Sequence, residues 1–326
     1  MQPGLLLPPA DVMDPTGVAT TAEQLGYGSV WMPELWGSDA FVQLSAVADA
    51  TEDVRLGTAI ANVFSRSPAV LAMAAATVDR YAAGRMVLGT GVSTAKAIED
   101  LHGIDYENPV RRAHETIAIA QRYLSTEDGT VSYDGKIFQV EDFEPLGRDV
   151  PVYHAALGPA NRRVVARLAD GWIPHNVPFP DLPAAFEDIE ETAAEAGRDA
   201  SEITVAPYVP SAVSDDDPDA ARDAIRGHVA YYVGNGEGYR KAVAQRFPEE
   251  AGTVADRWQA GDRDAAKAAV TDEMVHALGV AGTTEQARER LAELQDGFVD
   301  LPIVTVPRQA AGEMAMSTIQ ALAPDG

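Results

Sequence analysis

The 326-residue chain contains no cysteine. Disulfide frameworks, thiolate zinc sites, iron–sulfur clusters and thiol nucleophiles are therefore excluded. Lysine is scarce, occurring only at Lys96, Lys136, Lys241 and Lys267. Lysine and arginine together number 25 against 50 carboxylates, giving a net charge of −25. Phosphate backbones and anionic lipid surfaces are bound through Lys and Arg, so no nucleic acid and no membrane is expected as a partner. Long hydrophobic runs are missing too. The longest apolar stretch, residues 69–78, is alanine-rich and well short of the ~20 residues that span a bilayer. No basic segment followed by an apolar run opens the chain, so a cytoplasmic location is expected. An acidic, lysine-poor surface suits a cytosol of molar salt, where the Debye length falls to ~3 Å and screens carboxylate repulsion. A halophilic protein is the expectation, with an ordinary acidic enzyme as the alternative.

Several catalytic signatures are also absent. There is no H-E-x-x-H, no G-x-S-x-G and no phosphate-binding G-x-x-x-x-G-K-[ST]. The six histidines form no ligand set: His102 and His114 fall on different predicted elements. His154 lies mid-strand and reads as a hydrogen-bonded structural residue, whereas His175 closes a strand. Chemistry carried by an organic cofactor acting on a small molecule is what remains.

What the chain does have is 46% hydrophobic residues, ample for a full core. Short apolar runs alternate with helical periodicities throughout. Strands are expected at 4–8, 29–33, 55–62, 86–89, 151–156, 171–175, 203–213 and 298–306. Asp14-Pro15 and Ser67-Pro68 each set an N-cap before a first-turn proline. A β-hairpin insertion centred on Asp134-Gly135 is expected at about 126–150, and a helical insertion at about 214–280, before the eighth strand. Eight strands alternating with helices predict an α/β fold, a TIM-like (β/α)8 barrel forming one domain over residues 1–326. An open doubly wound sheet is the alternative.

In a barrel, chemistry sits at the C-terminal ends of the strands. Glu34 closes the second strand and could tune a proton transfer or simply cap a helix. Gly89-Thr90-Gly91-Val92-Ser93 is read as following the fourth strand, where paired glycines would let backbone approach a ligand. It is no dinucleotide fingerprint, because Thr94 stands where the third glycine belongs. Ala156-Leu157-Gly158-Pro159 opens a helix whose free N–H groups could hold an anion, with Arg162 and Arg163 nearby. A plain loop with two surface arginines is the competing reading.

At these residues the chain resembles the bacterial luciferase-like superfamily. The match runs in order through Val30-Trp31-Met32-Pro33-Glu34, residues 56–68 ending in Arg66-Ser67-Pro68, Gly84-Arg85-Met86-Val87-Leu88-Gly89-Thr90-Gly91, Leu157-Gly158-Pro159 and Val280-Ala281-Gly282-Thr283-Thr284-Glu285-Gln286. Within that superfamily it is similar to the deazaflavin (coenzyme F420)-dependent oxidoreductases, archaeal methylenetetrahydromethanopterin reductases in particular. The resemblance implies a TIM-like barrel, hydride transfer to or from a small organic substrate such as a methylenetetrahydromethanopterin-like pterin, and a homodimer or homotetramer. FMN is the alternative cofactor, and a non-catalytic cofactor-binding protein the alternative role. It also implies a cis peptide at Ala59-Ile60 with Ile60 backing the ring. Thr90, Gly91 and Val92 are then expected near the ring and its side chain, and Leu157, Gly158 and Pro159 beside a phosphate. Ala59, Asn62, Ala156 and His175 complete the expected cofactor contacts, and Glu34 is the matching acid and the candidate catalytic residue. The chain departs from many relatives at Leu35 (often histidine), at Val92 (glutamate in some) and at Leu5-Leu6-Leu7, where the reductases carry an acid. Leu35 argues against alcohol or sugar substrates, which that histidine would serve as base.

Overall fold

The computed structural model describes residues 1–324. Its strands are β1 (Gly4–Leu6), β2 (Ser29–Met32), β3 (Arg55–Thr58), β4 (Ala61–Asn62), β5 (Met86–Gly91), β6 (Val131–Asp134), β7 (Gln139–Phe143), β8 (Val152–His154), β9 (Gly171–Trp172), β10 (Thr204–Val205), β11 (Tyr208–Val213), β12 (Val280–Gly282) and β13 (Ile303–Thr305). Bonded neighbours run β10-β9-β8-β5-β3-β2-β1-β13-β11-β12, with β4 beside β5, and these ladders are parallel. β10 and β11 are two halves of one run, parted at Ala206-Pro207. The first half bonds β9 and the second bonds β13. Both flanks of the sheet therefore meet on the same stretch of chain, and the sheet is curled rather than open. β6 and β7 pair antiparallel as a separate hairpin. β12, seated against β11, falls where no strand was expected: Val280-Ala281-Gly282 is too short and small a run to signal one.

The helices are α1 (Pro15–Gln24), α2 (Ala40–Ala50), α3 (Pro68–Tyr81), α4 (Pro109–Leu124), α5 (Pro159–Leu168), α6 (Leu182–Glu195), α7 (Pro218–Asn235), α8 (Glu237–Val243), α9 (Pro248–Gln259), α10 (Arg263–Ala268), α11 (Asp272–Leu278), α12 (Thr284–Asp296) and α13 (Glu313–Ala321). Asp14 and Ser67 cap α1 and α3, accepting from first-turn N–H groups ahead of a proline. Helices α7 to α11 pack on a hydrophobic core of their own, around Val229, Val254 and Met274. Among the described residues no helix is long and apolar enough to cross a membrane.

Inside the curl lies a second small core of Trp31, Tyr153, Ile173 and Ile303. The rings of Trp31 and Tyr153 lie 5.7 Å apart. A Cβ on Gly57 would sit 2.2 Å from the Trp31 ring, so that glycine makes room for the indole. These rings fill the inside of the curled sheet beneath the C-terminal ends of its strands, and that rim carries the candidate site.

Candidate active site

β3 ends at Thr58 and β4 resumes at Ala61; between them the Ala59-Ile60 peptide is cis. The bulge is held from two sides. The Thr58 hydroxyl donates to Gly89 O (2.7 Å) and accepts from Gly89 N (2.9 Å). The Tyr208 hydroxyl of β11 donates to Ala59 O. Burial, then the neighbouring Tyr232 and Tyr239, raises the Tyr208 pKa well above its ordinary value, so the phenol stays a donor. Ile60 lies against Gly91: a Cβ there would fall 2.8 Å from Ile60 Cδ1 and Cγ1, and 3.4 Å from Ala155 Cβ. Gly89-Thr90-Gly91 thus lies inside β5 rather than after it. Its glycines serve strand packing, and Gly91 seats the Ile60 side chain beside Ala155 as an apolar shelf.

Several expected contacts turn out to face the protein. The Thr90 side chain is fully buried, 2.9 Å from His154 Nδ1. His154 also meets Asn161 Oδ1 (3.4 Å), and burial lowers its pKa to about 4. Asn62 Oδ1 accepts from Phe64 N and Ser65 N, shaping its own loop, with its amide nitrogen 3.4 Å from His102 Nε2. Ala156 is buried and its carbonyl accepts from the Trp172 indole (2.8 Å). Val92 is half-buried at the end of the shelf strand.

Glu34 is not a free carboxylate. Arg66 clasps both of its oxygens, at 2.5 and 2.9 Å, and Ala40 N donates to it (3.0 Å). Arg66 reaches Asp39 as well (2.6 Å). Burial alone would raise the Asp39 pKa, but hydrogen bonds from Val42 N and Arg66 hold it below the usual range. This arrangement ties the loop after β2 to the start of α3. Arg66 sat within the matching 56–68 segment, but its pairing with Glu34 had no signal in the linear spacing.

Gly158 is the N-cap of α5, in extended backbone, with nothing within 4 Å of where a Cβ would stand. Arg162 turns inward: it pairs with Asp188 (2.5 Å) and donates to Leu157 O (2.7 Å), bracing the loop. Arg163 stays exposed. Pro159 begins the helix and contributes no N–H.

His175, beyond β9, is buried against the helical layer. Its ring is edge-on to Tyr208 (4.7 Å), Tyr232 (4.4 Å) and Tyr239 (5.2 Å), and its Nε2 lies 3.4 Å from His228 Nε2. Burial, then His228, drives the His175 pKa well below its ordinary value; burial lowers that of His228 to about 3. The structure thus joins His175 to the bulge through Tyr208. Tyr208, Tyr232, Tyr239 and His228 were not singled out from sequence. Nothing in the spacing shows that α7 and α8 return to the rim.

The chain that builds this curled parallel sheet, with a cis bulge at one strand end, Ile60 and Ala155 beside it and an open helix N-cap at Gly158, matches the luciferase-like monooxygenase family. The family pattern matches residues 3–301, and the chain belongs to it. The 5,10-methylenetetrahydromethanopterin reductase of Archaeoglobus fulgidus is 30% identical over 298 residues, covering 88% of this chain and 87% of its own. The solved coenzyme F420-dependent tetrahydromethanopterin reductase of Methanopyrus kandleri superposes with a TM-score of 0.83 at 26% identity, covering 99% of this chain and 97% of its own. The FMN-bound oxygenating constituent of the 3,6-diketocamphane monooxygenase of Pseudomonas putida shares the fold, with a TM-score of 0.69 at 18% identity over 99% of this chain and 97% of its own.

Proposed function

We propose that this enzyme is a coenzyme F420-dependent oxidoreductase acting on a small organic substrate, with a methylenetetrahydromethanopterin-like pterin as the leading class. The observation that carries the reading is the shelf: Ile60, presented by the bulge, lies over a glycine and near Ala155, placing apolar side chains at the strand ends. It suits a planar ring, and the open start of α5 at Gly158 suits a phosphate. Coenzyme F420, when bound, supplies two-electron hydride chemistry at its ring. The protein's residues do the rest. Ile60 backs the ring, the Leu157-Gly158-Pro159 turn receives the anion, and Tyr208 and Thr58 hold the bulge in place. Glu34 acts by positioning the rim through Arg66 and is not the reading's proton-transfer group. Mass spectrometry and absorbance of whatever co-purifies tests the cofactor; recovery of FMN would overturn it in favour of a flavin enzyme. Exposed Val42, Val70 and Met73 on α2 and α3 support self-association as a dimer or tetramer, which sedimentation equilibrium measures.

Two substitutions test the assignment of the site. Gly158→Asp is expected to leave the circular dichroism spectrum intact and to weaken cofactor binding at least tenfold. Aspartate is a good N-cap with open space around it, so α5 should gain up to ~0.5 kcal/mol while a carboxylate enters the anion site. Unchanged cofactor affinity would remove that site. Ile60→Gly is expected to weaken ring binding ~10-fold, about 1.4 kcal/mol of lost apolar contact. Glu34→Gln should weaken it less than threefold, because Glu34 already spends its oxygens on Arg66 and Ala40. Cofactor-fluorescence titration of both variants decides; the reverse order would make Glu34 the main anchor.

A further inference from the structure

A second feature lies on the outer wall at the same end of the curled sheet. In parallel β/α units helices begin where strands end, so the starts of α4 and α5 both stand at the C-terminal rim. Between these helices is a cleft of about 560 Å³ lined by Arg111, His114, Arg163 and Arg167 among others, and no carboxylate is among its lining residues. Arg111 and His114 share one face of α4; Arg163 and Arg167 share one face of α5. Arg163 and Arg167 make no ion pair among the described residues, and Arg111 stands 3.8 Å from the buried Glu115. Glu115 is itself taken up by the N–H groups of Lys136, Ile137 and Phe138. Other basic side chains of this acid-rich chain, such as Arg66, Arg162, Arg226, Arg246 and Lys267, are matched to carboxylates. Three guanidiniums face one cleft whose lining holds no acid, and two of them, Arg163 and Arg167, have no ion pair among the described residues, in a chain with a net charge of −25.

We propose that this cleft is an anion-binding site for a small molecule bearing a diphosphate or several carboxylates. Guanidinium groups bind such oxyanions through paired N–H donors, and two adjacent helices supply three of them here, Arg111, Arg163 and Arg167. His114 reports on the occupant. Burial lowers its pKa, the charges of Arg111 and then Arg167 lower it further, and Glu115 opposes them. An anion lodged among the arginines offsets their charge, so binding raises the His114 pKa, and by linkage the anion binds more tightly as pH falls. The cleft begins at Ala160, two residues from Gly158, so the anion is either a separate small molecule or the acidic outer end of a ligand whose ring lies on the Ile60 shelf.

The test uses the intact chain without cofactor, folded in about 0.5 M KCl. Inorganic pyrophosphate and citrate are titrated by calorimetry, and the His114 pKa is followed by NMR with and without saturating pyrophosphate. One-to-one binding in the millimolar range or tighter is expected, together with a rise in the His114 pKa. The double variant Arg163→Gln/Arg167→Gln, whose side chains are exposed and make no ion pairs, should keep its circular dichroism spectrum and bind at least tenfold more weakly. Absence of binding, binding that the double variant retains, or a His114 pKa that pyrophosphate does not move would each overturn the site. A final arm rests on the proposed function and distinguishes the source. If coenzyme F420 blocks pyrophosphate, the occupant is the outer end of that ligand; if both bind together, the anion is a separate molecule.

Discussion

Raising KCl from about 0.1 to about 3 M is expected to lift the melting temperature by ~10 °C or more. The cause is carboxylate crowding. With 50 acids and 25 bases, matching every base would still leave half of the acids without a cation. On α6, Glu187, Glu191 and Glu195 recur every four residues along one exposed face, where like charges repel. Asp188 on the same helix does meet a cation, Arg162. At low salt these charges act across ~10 Å; in molar salt the range falls to ~3 Å and only contacts survive. The ion pairs that stitch the fold, such as Arg66 with Glu34, lose less because they are partly buried and in direct contact. Screening therefore removes more repulsion than attraction. Thermal melts across the salt series check this. A melting temperature that stays flat or falls would make the acidity incidental and the protein an ordinary acidic enzyme.

Local chemistry made much of the architecture legible from sequence. The capped helix starts at Asp14 and Ser67 and the parallel strands announce themselves through proline, cap residues and apolar runs, all set by neighbours in the chain. The bulge at Ala59-Ile60 came from resemblance, since no run of propensities marks a cis bond between two ordinary residues. The glycines of β5 were visible, but not their purpose. Whether Gly91 makes room for a ligand or for Ile60 depends on a bulge on a neighbouring part of the sheet, far away in the chain. Glu34 stood out as an acid at a strand end, and its partner Arg66 lies 32 residues on, a separation no periodicity reports. The rim tyrosines were hidden for the same reason. Tyr232 and Tyr239 read as parts of a polar, alanine-rich insertion, and only the folded path of α7 and α8 brings them edge-on to His175.

Acid is expected to destabilise the fold before it discharges the carboxylates. His154, His175 and His228 are all buried, and burial is the first cause of each lowered pKa: to about 4 for His154, to about 3 for His228 and well below the ordinary value for His175. In the unfolded chain each titrates near ~6.5. The unfolded state thus binds more protons below that value, and stability rises with pH through this window. Each neutral histidine contributes its full share above pH ~6.5 and loses it as pH falls toward the folded value. At pH 5 His154 and His228 each cost ~2 kcal/mol, and His175 acts in the same direction, together a large part of a typical domain's stability. Protonating carboxylates would relieve the net negative charge, but they titrate near ~4, so that relief arrives later. Measuring in about 3 M KCl reduces it further by screening those charges in advance. Under that condition the melting temperature should drop by ~10 °C between pH 7.5 and pH 5. His154→Gln, which keeps a neutral polar group beside Thr90, should lower stability at pH 7.5 yet lose the share of the pH dependence that His154 supplies. A flat profile over this interval would mean that these imidazoles are protonated or solvated in the folded protein, and the closed packing of His175 and His228 beneath Tyr232 would fail with it.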